Sequence, residues 1–129
     1  MVVLDTNFLL IPGQFKVDIF AEFQRIIDFQ YLLAIYSGTI DELTKIATAN
    51  TKDKNNAKIA LGLIKQKNLK TLENSSSKSH NYIDQIILDN VDNSYIVCTQ
   101  DMALKRLLKT KFPKIRIITL KSKKYLGFE

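Results

Sequence analysis

A chain of 129 residues, 46% hydrophobic and 25% charged, is long enough to close one core without disulfides or a structural metal and too short for a second, so residues 1–129 read as a single domain. A formal charge of +6 and a pI near 9.4 favour a polyanionic partner, nucleic acid first. The single cysteine, Cys98, excludes a disulfide framework or a zinc ribbon and suits a small core position on a strand. No apolar run approaches the roughly 18 residues of a membrane span, and no basic region precedes an apolar one. The cytoplasm is the expected location.

In chain order, Val2-Val3-Leu4 is too short an apolar run for a helix and reads as a strand buried on both faces, which delivers Asp5, Thr6 and Asn7 where it stops. Pro12-Gly13 marks the end of that first element. Phe15, Ile19, Phe20, Phe23, Ile26 and Ile27 then fall at helical spacing, predicting an amphipathic helix of about four turns. Leu32 to Tyr36 is a second buried strand, Thr39 to Thr48 a helix opened by Thr39-Ile40-Asp41-Glu42, and Ala57, Ala60, Leu61 and Ile64 mark a further helix. Leu69 to Glu73 alternates like a half-exposed edge strand. The polar run Asn74 to Ser79 is a loop; a helix follows from His80 to Asn90, with His80 read first as a loop histidine without a role and otherwise as a proton shuttle or an RNA contact. Tyr95 to Thr99 is a fourth strand, Met102 to Lys109 a helix, and Ile115 to Leu120 a fifth strand. Strands alternating with helices imply right-handed crossovers and a parallel five-stranded sheet between two helical layers, an α/β/α sandwich.

In such a sheet, ligands bind beyond the carboxyl ends of the strands, where strand order reverses. Asp5 follows the first strand, Glu42 lies just past the second, Asp101 follows the fourth, and Asp84 sits on the helix leading into the fourth. Each acid has a structural alternative. Glu42 completes a capping box with Thr39, Asp101 can cap a helix, Asp84 can be a solvated helix residue, and Asp5 can cap the turn after the first strand. Together the four would repel one another unless hard cations held them, and Mg²⁺ or Mn²⁺ takes oxygen ligands of this kind. Such ions can orient water and stabilise charge on the attacking and leaving oxygens of a phosphodiester. Beyond Asp101, nine of the 19 basic residues stand against Glu129 as the only acid. Lys105, Arg106, Lys109, Lys121, Lys123 and Lys124 are the candidate phosphate-backbone contacts.

The segments Val3-Leu4-Asp5-Thr6-Asn7, Gly38-Thr39-Ile40-Asp41-Glu42-Leu43, Tyr82-Ile83-Asp84-Gln85-Ile86 and Cys98-Thr99-Gln100-Asp101-Met102-Ala103-Leu104-Lys105 together resemble the PIN domain. The nearest resemblance is to the small single-domain archaeal members, similar to the eukaryotic PIN nuclease of small-subunit ribosomal RNA maturation, and it runs down to Lys123-Lys124-Tyr125-Leu126. It implies strand order 3-2-1-4-5 and a metal-dependent endoribonuclease leaving a 5′-phosphate and a 3′-hydroxyl. Carried over residue by residue, it implies Asp5, Glu42, Asp84 and Asp101 as catalytic and metal-holding acids, with Asn7 and Thr99 as supporting polar groups. Many relatives have a second aspartate where Gln85 stands, a departure that bears on metal number.

Within the class, the rival is the toxin of a toxin-antitoxin pair, with an antitoxin as partner. From another class comes an inactive PIN domain that binds RNA or pre-ribosomal partners as a scaffold. A haloacid dehalogenase-type phosphatase is excluded, because that chemistry needs an aspartate where Asn7 stands. A homodimer is the candidate assembly, with Phe15, Phe20 and Phe29 as surplus apolar surface.

Overall fold

The computed structural model describes residues 1–73 and 83–129. The loop expected at Asn74 to Ser79, His80 and Tyr82 all lie outside the described residues. Among the described residues, six strands form one sheet: β1 (Val2–Leu4), β2 (Leu33–Tyr36), β3 (Lys70–Leu72), β4 (Ile96–Cys98), β5 (Arg116–Lys121) and β6 (Tyr125–Phe128). Their order is 3-2-1-4-5-6. The first five are parallel, and β6 adds to β5 antiparallel, with Thr119 opposite Gly127. The five-stranded order implied by the resemblance therefore stands, and the C-terminal hairpin is an addition to it.

Side chains alternate faces along a strand, and here each face has its own helices to meet. Val2, Leu4, Ile35, Ile96, Cys98 and Ile118 join one core cluster with residues of α1 (Thr6–Leu9), α2 (Ile11–Phe15), α3 (Ile19–Ile26), α4 (Ser37–Thr48) and α5 (Lys54–Gln66). Val3, Tyr36, Val97 and Ile117 join the other, with residues of α6 (Ile83–Asn90) and α7 (Met102–Lys111). A one-residue shift in any central strand would exchange its two faces and leave both layers mispacked. Cys98 is fully buried in the first cluster, where desolvation drives its thiol pKa far up, as suits a core residue.

The segment after β1 departs from the expected single long helix. Pro12 occupies the first turn of α2, where its missing N–H costs nothing, so Pro12-Gly13 starts a helix instead of ending an element. Gly13 is required by packing: a Cβ there would run into Asn56 Oδ1 and stand 2.9 Å from the Asn56 Cα on α5. Lys16, in the left-handed region at φ 57°, closes α2, and Asp18 accepts hydrogen bonds from the Phe20 and Ala21 amides, both 3.1 Å, to open α3. A cap, a turn and a new cap thus divide the apolar periodicity between two short helices. Phe20 is largely buried, edge-on to Phe23, and leaves the set of surplus aromatics; Phe15 and Phe29 stay 38% and 43% exposed.

Ser122 and Lys123 turn the β5–β6 hairpin with φ of 55° and 56°. Two consecutive left-handed residues are the mark of a type I′ turn, which favours Asn-Gly, and each non-glycine residue there costs on the order of 1 kcal/mol. The double substitution Ser122→Asn, Lys123→Gly is expected to raise Tm by a few degrees in a thermal melt. An unchanged or lower Tm would show that the turn carries no such strain.

Candidate active site

Strand order reverses at β1, which has β2 on one side and β4 on the other. The crevice beyond the carboxyl ends of these three strands is where the chain places its acids. Asp5 follows β1, Glu42 lies in the second turn of α4 directly after β2, Asp101 follows β4, and Asp84 stands in the first turn of α6. Asp5 is only 5% exposed, Glu42 and Asp101 are half-buried, and Asp84 is exposed.

Two threonines tie Asp5 to the Glu42 carboxylate on one side and to the Asp101 backbone on the other. The Thr6 amide donates to Asp5 Oδ1 at 2.8 Å, and the Thr6 hydroxyl makes a short hydrogen bond to Glu42 Oε1. The Thr39 hydroxyl, also buried, lies 3.2 Å from that of Thr6. On the other side, Thr99 Oγ1 donates to Asp5 Oδ2 at 2.9 Å and accepts from the Asp101 amide at 3.0 Å. Asp5 thus has both oxygens oriented by one donor each, and its neighbours to left and right are set by the same two residues.

The electrostatics are those of carboxylates without an ion-pair partner among the described residues. Burial, above all, lifts the Asp5 pKa from 3.8 to about 6; the Thr99 and Thr6 hydrogen bonds oppose this, and the charges of Glu42 and Asp101 add to it. Glu42 is raised too, first by burial, with the Asp84 charge contributing and Lys45 opposing. The two ion pairs among the described residues, Arg25 with Glu22 and Lys105 with Glu129, leave all four acids untouched.

The alternatives for single acids resolve differently. α4 opens directly from Tyr36, so Thr39 is already inside the helix and no capping box forms. Glu42 instead turns inward to Thr6. Asp101 does cap α7, its Oδ1 accepting from the Ala103 and Leu104 amides at 2.9 and 3.1 Å, while Oδ2 has no partner among the described residues. Capping and facing the crevice are compatible roles for two oxygens of one group. Asn7 lies exposed on α1, and its side chain meets none of the four acids among the described residues.

The basic candidates divide as well. Arg106, Lys123 and Lys124 are exposed and Lys121 is half-buried. Lys109 is exposed, yet its ammonium donates to the Ile115 carbonyl at 2.5 Å. Lys105 corrects the expectation of a free phosphate contact: it is 9% exposed, and its ammonium donates to Thr119 Oγ1 at 2.9 Å and pairs with Glu129 at 3.0 Å. Its place on α7, at i+4 from Asp101 and facing β5, is a tertiary fact that the charge count alone does not carry. Thr6 and Thr39, not singled out from sequence as site residues, belong to the site; their only signal was proximity to Asp5 and Glu42 in the chain.

A doubly wound parallel sheet with carboxylates at its switch point defines an α/β class of protein whose candidate site lies beyond the strand ends. Residues 2–123 match the model of the PIN-like domain, and the chain belongs to that family. It is 29% identical over 128 residues to "Ribonuclease VapC4" of Methanocaldococcus jannaschii, an alignment covering 96% of this chain and 92% of that protein. It also superposes on the solved structure of "the PIN domain endonuclease Utp24" with a TM-score of 0.81 and 25% identity, covering 99% of this chain and 90% of that one.

Whether the donor set suits a cation can be judged from the atoms. All candidate ligands are carboxylate oxygens, the buried one lacks a cationic partner, and Asp101 Oδ2 is unengaged among the described residues, which is a set for a hard divalent ion. Among the described residues, no three acidic, His or Cys side chains are posed as a ready-made metal cage.

The raised Asp5 pKa fixes the sign of a stability effect. Between pH 3.8 and about 6 the folded state holds a proton on Asp5 that the unfolded state has released, so stability falls as pH rises through that window. Above it, the ionised carboxylate costs about 3 kcal/mol. Asp5→Asn is expected to melt higher than wild type at pH 7 in EDTA and to flatten the pH dependence of Tm across that window. A variant that melts lower at pH 7 would show that the ionised Asp5 carboxylate is net stabilising.

Proposed function

We propose that this chain is a Mg²⁺- or Mn²⁺-dependent endoribonuclease whose acids Asp5, Glu42, Asp84 and Asp101 hold the cation and whose substrate is RNA. The observation that carries this reading is the buried, unpaired Asp5 carboxylate, bridged through Thr6 and Thr99 to Glu42 and Asp101. The two similar proteins, one named a ribonuclease and the other an endonuclease, support it. A divalent ion supplies the electrophilic stabilisation and activated water that phosphodiester hydrolysis needs.

The protein's own contribution is orientation. Thr6 and Thr99 hold each Asp5 oxygen in place, so the carboxylate does not have to reorganise when a cation arrives. The Asp101 cap fixes that side chain's rotamer while leaving Oδ2 available. Asp84, exposed and near enough for its charge to act on Glu42, would complete the acidic set on its solvent side. Hydrolysis joins a water oxygen to phosphorus and breaks the bond to the 3′ oxygen, which leaves with a proton, giving a 5′-phosphate and a 3′-hydroxyl. The exposed Arg106, Lys123 and Lys124 and the half-buried Lys121 supply positive charge for the flanking phosphates. An RNA-binding scaffold without activity is the reading least served by four intact acids at the rim. RNA-processing partners, an antitoxin and a homodimer are the associations to test in the cell.

Asp5→Asn, Asp84→Asn, Asp101→Asn and Glu42→Gln, assayed on single-stranded and structured RNA with Mn²⁺ and with EDTA, are each expected to lose at least about tenfold in cleavage rate. Wild type should cleave only with the metal, and a variant with full activity removes its residue from the site. Neutralising Lys121, Lys123 and Lys124 together is expected to weaken RNA binding and to flatten the log–log salt slope by roughly 0.7 for each single-strand phosphate that the variant no longer neutralises. An unaltered slope would place that patch away from the RNA.

A further inference from the structure

We infer that Lys105, Thr119 and Gln100 form a positioning relay that holds the Asp101 turn in register with Asp5, and that Lys105 serves the site through this relay and not by touching RNA. The inference rests on the nuclease reading above and assigns these three residues a place in it. Charged side chains are seldom buried unless something specific fixes them, and Lys105 is buried at the back of α7, one turn after Asp101.

The relay can be followed donor by donor. The Lys105 ammonium donates to Thr119 Oγ1 at 2.9 Å, the Thr119 hydroxyl donates to Gln100 Oε1 at 2.5 Å, and the Leu120 amide donates to the same Gln100 oxygen at 2.6 Å. Glu129 takes part of the lysine's charge at 3.0 Å. Each hydroxyl or carbonyl in the chain is polarised by the donor behind it, which strengthens the next bond.

Its position explains its use. Thr99, Gln100 and Asp101 are consecutive. Thr99 reaches across to Asp5 after β1, Gln100 reaches the opposite way to β5, and Asp101 caps α7 between them. The turn is therefore fastened on both sides as well as along the helix. Without the Gln100 bonds, the Thr99 amide still donates to the Ile118 carbonyl of β5 at 3.2 Å and the Asp101 cap still holds, but the Gln100 end of the turn can pivot about them, and sub-ångström shifts between cation ligands lower affinity.

Thr119→Val keeps the shape and deletes the hydroxyl, Thr119→Ser keeps the hydroxyl, and Lys105→Met deletes the charge. Each would be measured for Mn²⁺ affinity by electron paramagnetic resonance of the free ion, for kcat and KM on single-stranded RNA, and for Tm. The relay predicts that Thr119→Val and Lys105→Met weaken Mn²⁺ binding and lower kcat by about ten- to a hundredfold, with KM and its salt slope unchanged, and that Thr119→Ser recovers both. Gln100→Ala, at a half-buried position, removes the acceptor of both the Thr119 hydroxyl and the Leu120 amide, and tests the relay from the other side if Thr119→Val does not fold. Variants equal to wild type in Mn²⁺ affinity and kcat would overturn the relay. So would a Lys105→Met variant that raises KM and flattens the salt slope at unchanged kcat, since that is the signature of an RNA contact. Wild type run beside them separates the two levels: a wild type that neither binds Mn²⁺ nor cleaves RNA sinks the nuclease reading itself, whereas an active wild type matched by its variants sinks only the relay.

Discussion

The structure depends on one unfavourable term, a carboxylate placed at the buried end of the central strand with no ion-pair partner among the described residues. β1 has neighbours on both sides and helices over both faces, so Asp5, directly after Leu4, is largely withdrawn from water. Asp5 there is tolerated because its two oxygens receive a backbone amide and a threonine hydroxyl, yet these bonds do not offset desolvation, and the carboxyl stays easier to protonate than in water. A protein selected only for stability would place an amide or an apolar residue here. The retained charge is the kind of local cost that binding sites carry and the surrounding core supports.

The rest of the chain follows from having to bring partners to that point. A parallel sheet whose order reverses at β1 delivers the ends of β2 and β4 to either side of it, so Glu42 and Asp101, far from Asp5 in sequence, become its neighbours without long loops. Hydroxyls do the joining. Thr6 serves Asp5 with its backbone and Glu42 with its side chain, while Thr99 serves Asp5 as donor and Asp101 as acceptor. Neutral donors of this kind fix geometry while leaving the negative charge of the rim available to a cation.

How much of this was legible in the sequence varies with the range of the interaction concerned. Short apolar runs such as Val2 to Leu4 and Ile96 to Cys98 announce buried strands because burial on both faces demands continuous hydrophobicity. The acids after them follow from the general rule for switch points. Local competition was harder to judge. Thr39-x-x-Glu42 has the spacing of a capping box, yet α4 begins at Ser37 because the chain leaves β2 directly into the helix, a choice made by the sheet and not by Thr39. Pro12-Gly13 looks like a terminator, and only the approach of Asn56 shows why glycine is needed inside α2. Tyr125 to Phe128 gives no strong strand pattern of its own; it pairs because β5 offers an edge and Ser122-Lys123 accept a left-handed turn. Lys105 illustrates the limit of charge counting, since its burial is decided by Thr119 on β5 and Glu129 at the end of the chain.

The central claim is that the Asp5 rim is built to receive a divalent cation. A crystal grown with Mn²⁺ and measured at the manganese absorption edge tests it most directly. The account predicts an anomalous peak within ligating distance of the Asp5 and Asp101 carboxylates, at the end of β1. A rim without a peak at saturating Mn²⁺, or a peak confined to other surface acids, would contradict it.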